Sequence, residues 1–324
     1  MSEPEPKAVM VNVLKGGLGK STTSKNTAGV LGEDDRVLLM DTDDNGHLTK
    51  HLGFKKEFYQ ADNLSDVLNE YSDVGVHDLI CETDYGFDFI PATHHSEQVE
   101  AAFKNQMNEN IVLKQELVDP LLGTEYDYII FDTPANRSLM VRNAAVAAGN
   151  LIMPLAPGEE GKDGLEATMN RIYFELNKKL PGGLEMLAIV PNKIRRRIDH
   201  NNTHRELLEQ INTQTVEIPH TGEVKDMGEW VPNFAFMPEE VWEAIDAGEL
   251  SSNPKPGIRE DEALNTPVPL STSDPNNSNL VYFEEIADII RYGGVRRDSD
   301  VVDTLLREHG KIEENVGDSS EAQA

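Results

Sequence analysis

The chain has 324 residues, and its 58 aspartate and glutamate residues outnumber 29 lysine and arginine residues, which gives a formal net charge of −29. This length is ample for a hydrophobic core, no apolar stretch reaches the roughly 18 residues of a membrane-spanning helix, and the single cysteine, Cys81, excludes an intrachain disulfide. The acidity indicates either repulsion from nucleic acid or adaptation to molar salt, where net charge is largely screened. Because the acidic excess is spread along the whole chain, the second interpretation is favoured.

The first predicted element is an apolar strand over residues 9–14 that breaks into glycines and continues into a helix from Lys20. Glycines let the backbone N–H groups face an anion, and the positive end of the helix adds to the attraction. Lys20 can reach the β- and γ-phosphates of a nucleotide, and the Ser21 hydroxyl can bind Mg²⁺. Leu14 stands where this motif usually has glycine, and a second lysine, Lys15, follows it. The loop predicts a nucleotide site made by Lys15, Gly16, Gly17, Leu18, Gly19, Lys20, Ser21 and Thr22.

Two further predicted strands end in carboxylates. The apolar run 37–40 leads into Asp41 and Asp43, and the most apolar run of the chain, 128–131, leads into Asp132 and then a proline. The carboxyl ends of parallel strands form the ligand-binding edge of an open sheet. We therefore expect these aspartates to lie at the same edge as the glycine-rich loop.

Strands and helices alternate through the rest of the chain, which predicts an α/β fold with a doubly wound, mostly parallel sheet flanked by helices in a single domain. The further predicted strands are 87–92, 151–155, 187–193 and 216–219, and the main further helices are 159–180 and 280–292.

The predicted domain organisation has three parts. Residues 1–7 form a disordered N-terminus, and residues 8–295 form the domain. Within the domain, 228–275 is rich in Ser, Pro, Asn and Asp towards its end and is predicted to be an insertion of a short helix and a flexible loop. Residues 296–324 are predicted to be an acidic, partly disordered tail.

Three stretches resemble the motifs of the ParA/MinD family of deviant Walker A ATPases. They are KGGLGKST at 15–22, DTDDNGHLT at 41–49 and YIIFDTP at 128–134. The resemblance is closest to ParA-type partition ATPases, and it implies a P-loop NTPase fold that uses ATP and Mg²⁺. In the second stretch, Asp44 and Asn45 stand where the family usually has proline and glutamine.

The resemblance assigns catalytic roles to three residues. Lys15 would cross the interface of an ATP-dependent homodimer to reach the partner's phosphates, while Lys20 has the ordinary phosphate-binding role. Asp43 would help to position the attacking water. Catalysis by such a site relies on positioning and charge stabilisation rather than on covalent chemistry.

Binding roles follow from the same resemblance. Ser21 and Asp132 would hold Mg²⁺, and Asp132 could do so directly or through a water. Asn192, at the end of the predicted strand 187–193, matches an asparagine that pairs with the adenine edge in relatives.

Family members bind DNA nonspecifically in the ATP state and need a ParB-like partner to stimulate hydrolysis, so the resemblance implies both for this chain. The dense basic run 193–197 is either a solvated loop or a nucleic-acid contact. In the second case we expect it to form one strip with the basic residues that follow the last predicted helix. The predicted strip consists of Lys193, Arg195, Arg196, Arg197, Arg291, Arg296 and Arg297.

Three alternatives remain beside a partition ATPase. A MinD-like membrane-cycling ATPase would carry a basic amphipathic C-terminal helix, whereas 298–324 is acidic, so we expect no membrane anchor. A carrier of metal clusters would need paired cysteines. A nucleotide-gated scaffold with little turnover is disfavoured by the presence of Lys20, Asp43 and Asp132. The favoured interpretation is a cytoplasmic ATPase, associated with the nucleoid in its ATP state, that segregates chromosome or plasmid DNA.

Overall fold

The structure, a computed structural model, describes residues 4–156, 159–179, 183–193, 215–218, 223–226, 258 and 261–293. Its main sheet has six strands, all parallel where they pair: β1 (Lys7–Val11), β2 (Val37–Asp41), β3 (Phe87–Ile90), β4 (Tyr128–Asp132), β5 (Asn150–Leu155) and β6 (Glu185–Pro191). Their order across the sheet is β3-β2-β4-β1-β5-β6. The predicted doubly wound parallel sheet is confirmed.

Helices cover both faces of this sheet. They are α1 (Lys20–Leu31), α2 (His47–His51), α3 (Lys55–Gln60), α4 (Leu64–Val67), α5 (Ser96–Lys104), α6 (Asp119–Leu121), α7 (Leu139–Ala148), α8 (Glu159–Thr168), α9 (Phe174–Lys179), α10 (Leu270–Ser273) and α11 (Leu280–Tyr292). One layer of the core is built with α1 and α11, and the other is built with α5, α7 and α8.

Successive side chains of β1 pack alternately in the two layers of the core. Met10 packs in the layer of α7 and α8, whereas Val9 and Val11 pack in the layer of α1 and α11. Successive side chains of a strand point to opposite faces of the sheet, and a parallel sheet covered on both faces buries both sets. This explains why strands without a polar alternation, such as β1 and β4, are central.

Strand register brings three carboxyl ends to one edge of the sheet. Val11 of β1 pairs with Asp132 of β4, and Asp132 pairs with Asp41 of β2. The N–H of Thr42 donates a 2.9 Å hydrogen bond to the Asp132 carbonyl, which ties the two acidic ends together. The segments that follow β1, β2 and β4 therefore start side by side.

The long predicted helices agree with the structure. Over 159–179 the apolar residues expected to face the core, Leu165, Met169, Ile172 and Leu176, are all buried, although five residues in the middle form a π-helical turn. Helix α11 begins and ends as predicted, and Gly293 follows it in the left-handed region with φ of +67°.

Three predictions differ from the structure. Lys7 belongs to β1, and its Nζ donates to the Ile290 carbonyl at 2.8 Å, so the ordered sheet starts inside the expected disordered segment. The strand predicted at 216–219 lies in an antiparallel hairpin, in which β7 (Thr215–Ile218) pairs with β8 (Glu223–Asp226) rather than with the main sheet.

The third difference concerns the expected insertion. Its last part, 261–275, packs on α1: the N–H of Leu270 donates a 2.7 Å hydrogen bond to Asn26 Oδ1, and Pro269 and Ser271 lie against Gly29. These residues are therefore part of the core and not of a flexible loop. Residues 228–257 and the acidic tail 296–324 lie outside the described residues. Within the described ranges, no helix combines the length and apolar character that crossing a membrane requires.

Candidate nucleotide-binding site

The loop between β1 and α1 has the backbone of a phosphate cradle. Gly17 and Gly19 adopt positive φ values of +76° and +95°, which residues with a Cβ rarely adopt. A Cβ on Gly19 would also lie 1.7 Å from the Asn192 Nδ2 atom, so close packing adds a second reason for glycine. Helix α1 then starts at Lys20 and directs its positive N-terminal end at the loop.

A cavity of about 620 Å³ opens beside this loop. Residues from several separate parts of the chain line it. Both this volume and this convergence of polar residues are typical of small-molecule sites. The lining residues are Gly16, Gly17, Gly19, Lys20, Ser21, Thr22, Asp43, Asp44, Asn45, His47, Leu48, Pro134, Ala135, Asn136, Lys193 and Asn265.

Lys20 is the buried cation of the cavity. Only 8% of the residue is exposed, and this burial lowers the pKa of its ammonium group, while the negative charges of Asp132 and Asp43 act in the opposite direction. The Lys20 ammonium would attract a polyphosphate strongly in this position, because charge–charge attraction is strong where water is excluded.

Asp132 lies at the floor of the site, and 1% of it is exposed. Its Oδ1 accepts a 3.0 Å hydrogen bond from Ser24 Oγ. Burial raises the pKa of this carboxyl group, whereas the Ser21 hydroxyl and the Lys20 ammonium act to lower it.

The oxygens of Ser21 and Asp132 fit Mg²⁺, which takes one or two protein ligands and completes its shell with phosphates and water. Within the described residues, no group of three or more His, Cys, Asp and Glu side chains is arranged to hold a metal ion by itself. Metal binding at this floor would therefore depend on the phosphates of the nucleotide.

The two aspartates after β2 have different surroundings. Asp41 is buried, and its carboxylate accepts hydrogen bonds from Thr49 N at 2.9 Å, Thr49 Oγ1 at 2.7 Å and Asp43 N at 3.0 Å. Burial and the neighbouring Asp132 charge raise the pKa of Asp41. Asp43 instead lines the cavity and accepts hydrogen bonds from the backbone and side chain of Asn45. Asp41 thus shapes the loop, and Asp43 faces the ligand space.

Lys15 lies where the loop meets α8. A Cβ built on Gly164 of α8 would lie 3.1 Å from Lys15 Cβ, and the N–H of the preceding Leu14 donates to Thr168 Oγ1 at 2.9 Å. The start of the loop is thereby fixed against α8. Lys15 is half-buried and does not line the cavity of its own chain, whereas the next residue, Gly16, does.

The predicted adenine-binding residue, Asn192, contacts the loop itself. Its Nδ2 donates a 3.3 Å hydrogen bond to the Leu18 carbonyl, and its Oδ1 accepts from Lys193 N at 2.8 Å. The side chain is 3% exposed. The structure therefore places Asn192 as a support of the loop, with Lys193 next to it at the cavity wall.

A family model described as an AAA domain matches residues 6–182, which is more than half of the chain. The chromosome partitioning protein ParA of Myxococcus xanthus is 32% identical over 179 residues, which are 53% of this chain and 61% of that protein. The chain belongs to the ParA-type family of deviant Walker A ATPases.

A second curated relative and a solved structure are also similar to this chain. The sporulation initiation inhibitor protein Soj of Bacillus subtilis is 30% identical over 167 residues, which are 51% of this chain and 64% of Soj. The chain spans less than two thirds of the length of both curated relatives. A solved structure of cobyrinic acid a,c-diamide synthase from Mycobacterium smegmatis, with bound ATP analog and magnesium, is 25% identical with a TM-score of 0.55, and the match covers 64% of this chain and 82% of that one.

Two residues of the expected basic strip, Arg291 and Lys193, do not lie together in this ParA-type fold. Arg291 donates two hydrogen bonds, of 2.9 and 2.7 Å, to Asp35 Oδ2, and only 14% of its side chain is exposed. Asp35 lies just before β2, whereas Lys193 lies just after the carboxyl end of β6. Because the strands are parallel, Arg291 and Lys193 lie at opposite edges of the sheet. Arg195, Arg196, Arg197, Arg296 and Arg297 lie outside the described residues.

Sequence reasoning missed the roles of three residues of the ParA-type site. Asn265 lines the cavity from the segment between β8 and α10, far from Lys20 in the chain. Thr49 holds Asp41, and Asn12 joins the ends of β1 and β4 through hydrogen bonds from its Nδ2. Thr49 ends the second motif and Asn12 stands just before the first, so their position was a signal, but no local pattern marks Asn265.

Proposed function

We propose that this chain is an ATPase that hydrolyses ATP to ADP and phosphate with Mg²⁺. The observation that supports this most directly is that Lys20, Ser21 and Asp43 line one cavity beside a glycine-rich loop, while the buried Asp132 carboxyl group interacts with the Ser21 hydroxyl and the Lys20 ammonium. A solved relative carries an ATP analog and magnesium, and the family assignment points to the same substrate.

In the proposed reaction, the loop N–H groups and the Lys20 ammonium bind the β- and γ-phosphates and stabilise the charge that develops on them. Asp43 accepts a hydrogen bond from a water and orients it for in-line attack on the γ-phosphorus. Bound Mg²⁺ would supply charge neutralisation between the β- and γ-oxygens. Ser21 and Asp132 are the residues that would hold it.

Dimerisation on ATP is the second part of the proposal. Lys15 does not line the cavity of its own chain, and its Cβ lies close to Gly164 of α8 at the loop margin. A second subunit facing the cavity would bring its own Lys15 to the phosphates. ATP would then act as the bridge between two subunits.

The third part concerns cargo. We propose that the ATP dimer binds DNA nonspecifically, that a ParB-like partner stimulates hydrolysis, and that the cycle segregates chromosome or plasmid DNA within the cytoplasm. The similarity to a chromosome partitioning protein of Myxococcus xanthus supports this choice. The basic run 195–197 is a candidate DNA contact.

The membrane alternative is tested by lipid flotation with ATP. Recovery of the protein with the vesicles would favour that alternative.

ATP turnover by the purified chain, with and without duplex DNA, tests the function. We expect Mg²⁺-dependent release of phosphate by the parent and loss of ATP binding by Lys20→Ala in titration calorimetry. Lys104→Ala is the matched control, because Lys104 is a surface lysine on α5 that pairs with Glu100. Unchanged nucleotide affinity of Lys20→Ala would contradict the site. Tight ATP binding by the parent without turnover would favour the scaffold alternative.

A further inference from the structure

A basic patch lies outside the cavity on the two short helices that follow β2. It consists of Lys50 and His51 of α2 and Lys55, Lys56 and Tyr59 of α3, and we call it the α2–α3 patch. His51, Lys55, Lys56 and Tyr59 are exposed, and 47% of Tyr59 is accessible. Helix α3 also carries the half-buried Glu57, so three lysines and one glutamate give the two helices a formal charge of +2 (3 − 1, histidine neutral) in a chain with a net charge of −29.

The lysines of the α2–α3 patch are available for an external anion. Among the described residues, Lys50, Lys55 and Lys56 form no ion pair with a carboxylate, although acidic residues are twice as frequent as basic ones. Elsewhere, cations on several elements pair with neighbouring acids. These pairs are Arg36 with Asp127, Lys104 with Glu100, Lys114 with Asp119, Arg137 with Glu175 and Arg291 with Asp35.

The patch is joined rigidly to the nucleotide cavity. Helix α2 starts at His47, which lines the cavity, and Thr49 of the same helix binds the Asp41 carboxylate. Lys50 Nζ donates to the Asn45 carbonyl at 2.6 Å and lies 4.0 Å from the centre of the Phe58 ring of α3. A change in the loop after β2 would therefore move both helices.

We propose that the α2–α3 patch binds the phosphate backbone of duplex DNA. Lysines without a carboxylate partner and a tyrosine hydroxyl are typical donors to phosphate oxygens, and neutralised phosphates release counterions, which drives association without sequence reading. This inference rests on the proposed function for the ATP state, but it locates the contact at a different surface from 193–197.

An acidic protein surface is the other polyanion that the charge would fit, and the composition of the patch disfavours it. Protein interfaces are depleted in lysine at their centre and depend on buried apolar anchors. Here Tyr59 is the one aromatic residue among four basic ones. A polymer of regularly spaced phosphates can engage several such lysines at once.

The experiment measures binding of a fluorescent random-sequence duplex by anisotropy, with a non-hydrolysable ATP analogue, over a series of salt concentrations. We expect the double variant Lys55→Ala/Lys56→Ala to bind more weakly than the parent at every salt concentration. The slope of log affinity against log salt should fall in magnitude by about 0.9 for each phosphate that the variant no longer neutralises. Lys55→Arg/Lys56→Arg should restore binding, and Lys104→Ala/Lys114→Ala, which removes two paired lysines elsewhere, should match the parent.

The outcomes separate this surface from the function on which it rests. If Lys55→Ala/Lys56→Ala keeps the affinity and salt slope of the parent while the parent binds DNA, the surface is wrong and the proposed function stands. If poly-glutamate binds the parent as tightly as DNA and the double variant loses both, the partner is an acidic protein and the DNA inference fails. If the parent turns over ATP but binds no duplex at any salt concentration, the patch and the DNA part of the function both fail. ATP turnover without DNA should be equal in all variants.

Discussion

Asn12 Nδ2 donates a 2.7 Å hydrogen bond to Thr133 Oγ1, which joins the residue after β1 to the residue after β4. The same nitrogen lies 3.2 Å from the Pro134 carbonyl, and Pro134 lines the cavity. Asn12 is fully buried, and its Oδ1 has no hydrogen-bond partner among the described residues. The phosphate loop and the segment after Asp132 are thus linked by one side chain.

Asn12→Ala should reduce the rate of hydrolysis more than the affinity for ATP. Removing the donor takes a hydrogen bond from the buried Pro134 carbonyl, at a cost to stability of roughly 1–3 kcal/mol, while the Thr133 hydroxyl keeps its bond to the Val11 carbonyl. Asn143→Ala is the matched control, because Asn143 is also fully buried but bonds Glu109 and Leu139 away from the cavity. Steady-state kinetics and thermal unfolding of both variants separate an effect on hydrolysis from an effect on stability. Equal losses of kcat in the two variants would mean that Asn12 acts only through stability.

Lys15→Ala should bind nucleotide but should not form an ATP-dependent dimer. The Lys15 side chain does not line the cavity of its own chain, so its removal should leave the cradle of Lys20 and the loop intact. Sedimentation with and without the ATP analogue measures the dimer, and titration calorimetry measures the affinity. A variant that dimerises on ATP and turns over normally would show that the second lysine has no role across the interface.

Asp43→Ala should trap an ATP-bound dimer. The change removes the carboxylate that faces the cavity and leaves the phosphate contacts unchanged, so binding survives and turnover falls by about 10² or more, as for other losses of a positioned acid–base group. Single-turnover phosphate release measures the effect. Asp62→Ala, which removes an exposed carboxylate nearby, should behave as the parent.

Asp41→Ala should have a different phenotype from Asp43→Ala. Asp41 accepts three hydrogen bonds in a buried position, and the removal of these bonds should lower the melting temperature before it affects chemistry. Thermal unfolding of the two variants side by side measures the difference. If Asp43→Ala hydrolysed ATP at the rate of the parent, a residue other than Asp43 would position the water.

Lys25 provides a pH dependence of stability. Burial in α1 lowers the pKa of its ammonium group to about 8, and the nitrogen donates to the Thr266 carbonyl. Between this value and the ordinary pKa near 10.5, the unfolded chain binds a proton that the folded chain has lost, so the contribution of Lys25 to the free energy of unfolding rises with pH.

Denaturant unfolding of the parent and of Lys25→Met between pH 7 and pH 11 measures this contribution. The difference between the two should change by up to about 3 kcal/mol across the window, with the parent gaining relative to the variant as pH increases. A constant difference would mean that the Lys25 ammonium is not desolvated in the folded chain.

The parts of the fold and site that the sequence predicted are those encoded by neighbouring residues. The loop from Lys15 to Thr22, the aspartates after β2 and Asp132 each combine a buried strand with the polar residues that directly follow it, and the parallel register then brings them together. The ion pair of Arg291 with Asp35 joins residues 256 positions apart, and no local pattern distinguishes such an arginine from a free one. The same holds for Asn265, which reaches the cavity because its segment packs on α1.

The wall that Asn265 adds to the cavity bears on how the protein can be dissected. The match to the family model ends at residue 182. However, Asn192 supports the phosphate loop, and the segment 261–273 is hydrogen-bonded to Lys25 and Asn26 of α1. A chain truncated at residue 182 would keep all three motifs. It would lose Lys193 and Asn265 from the cavity wall, together with strand β6 and helix α11. The family match is therefore shorter than the smallest fragment that we expect to bind nucleotide. A truncated protein intended to bind nucleotide should also include residues 183–193 and 261–293.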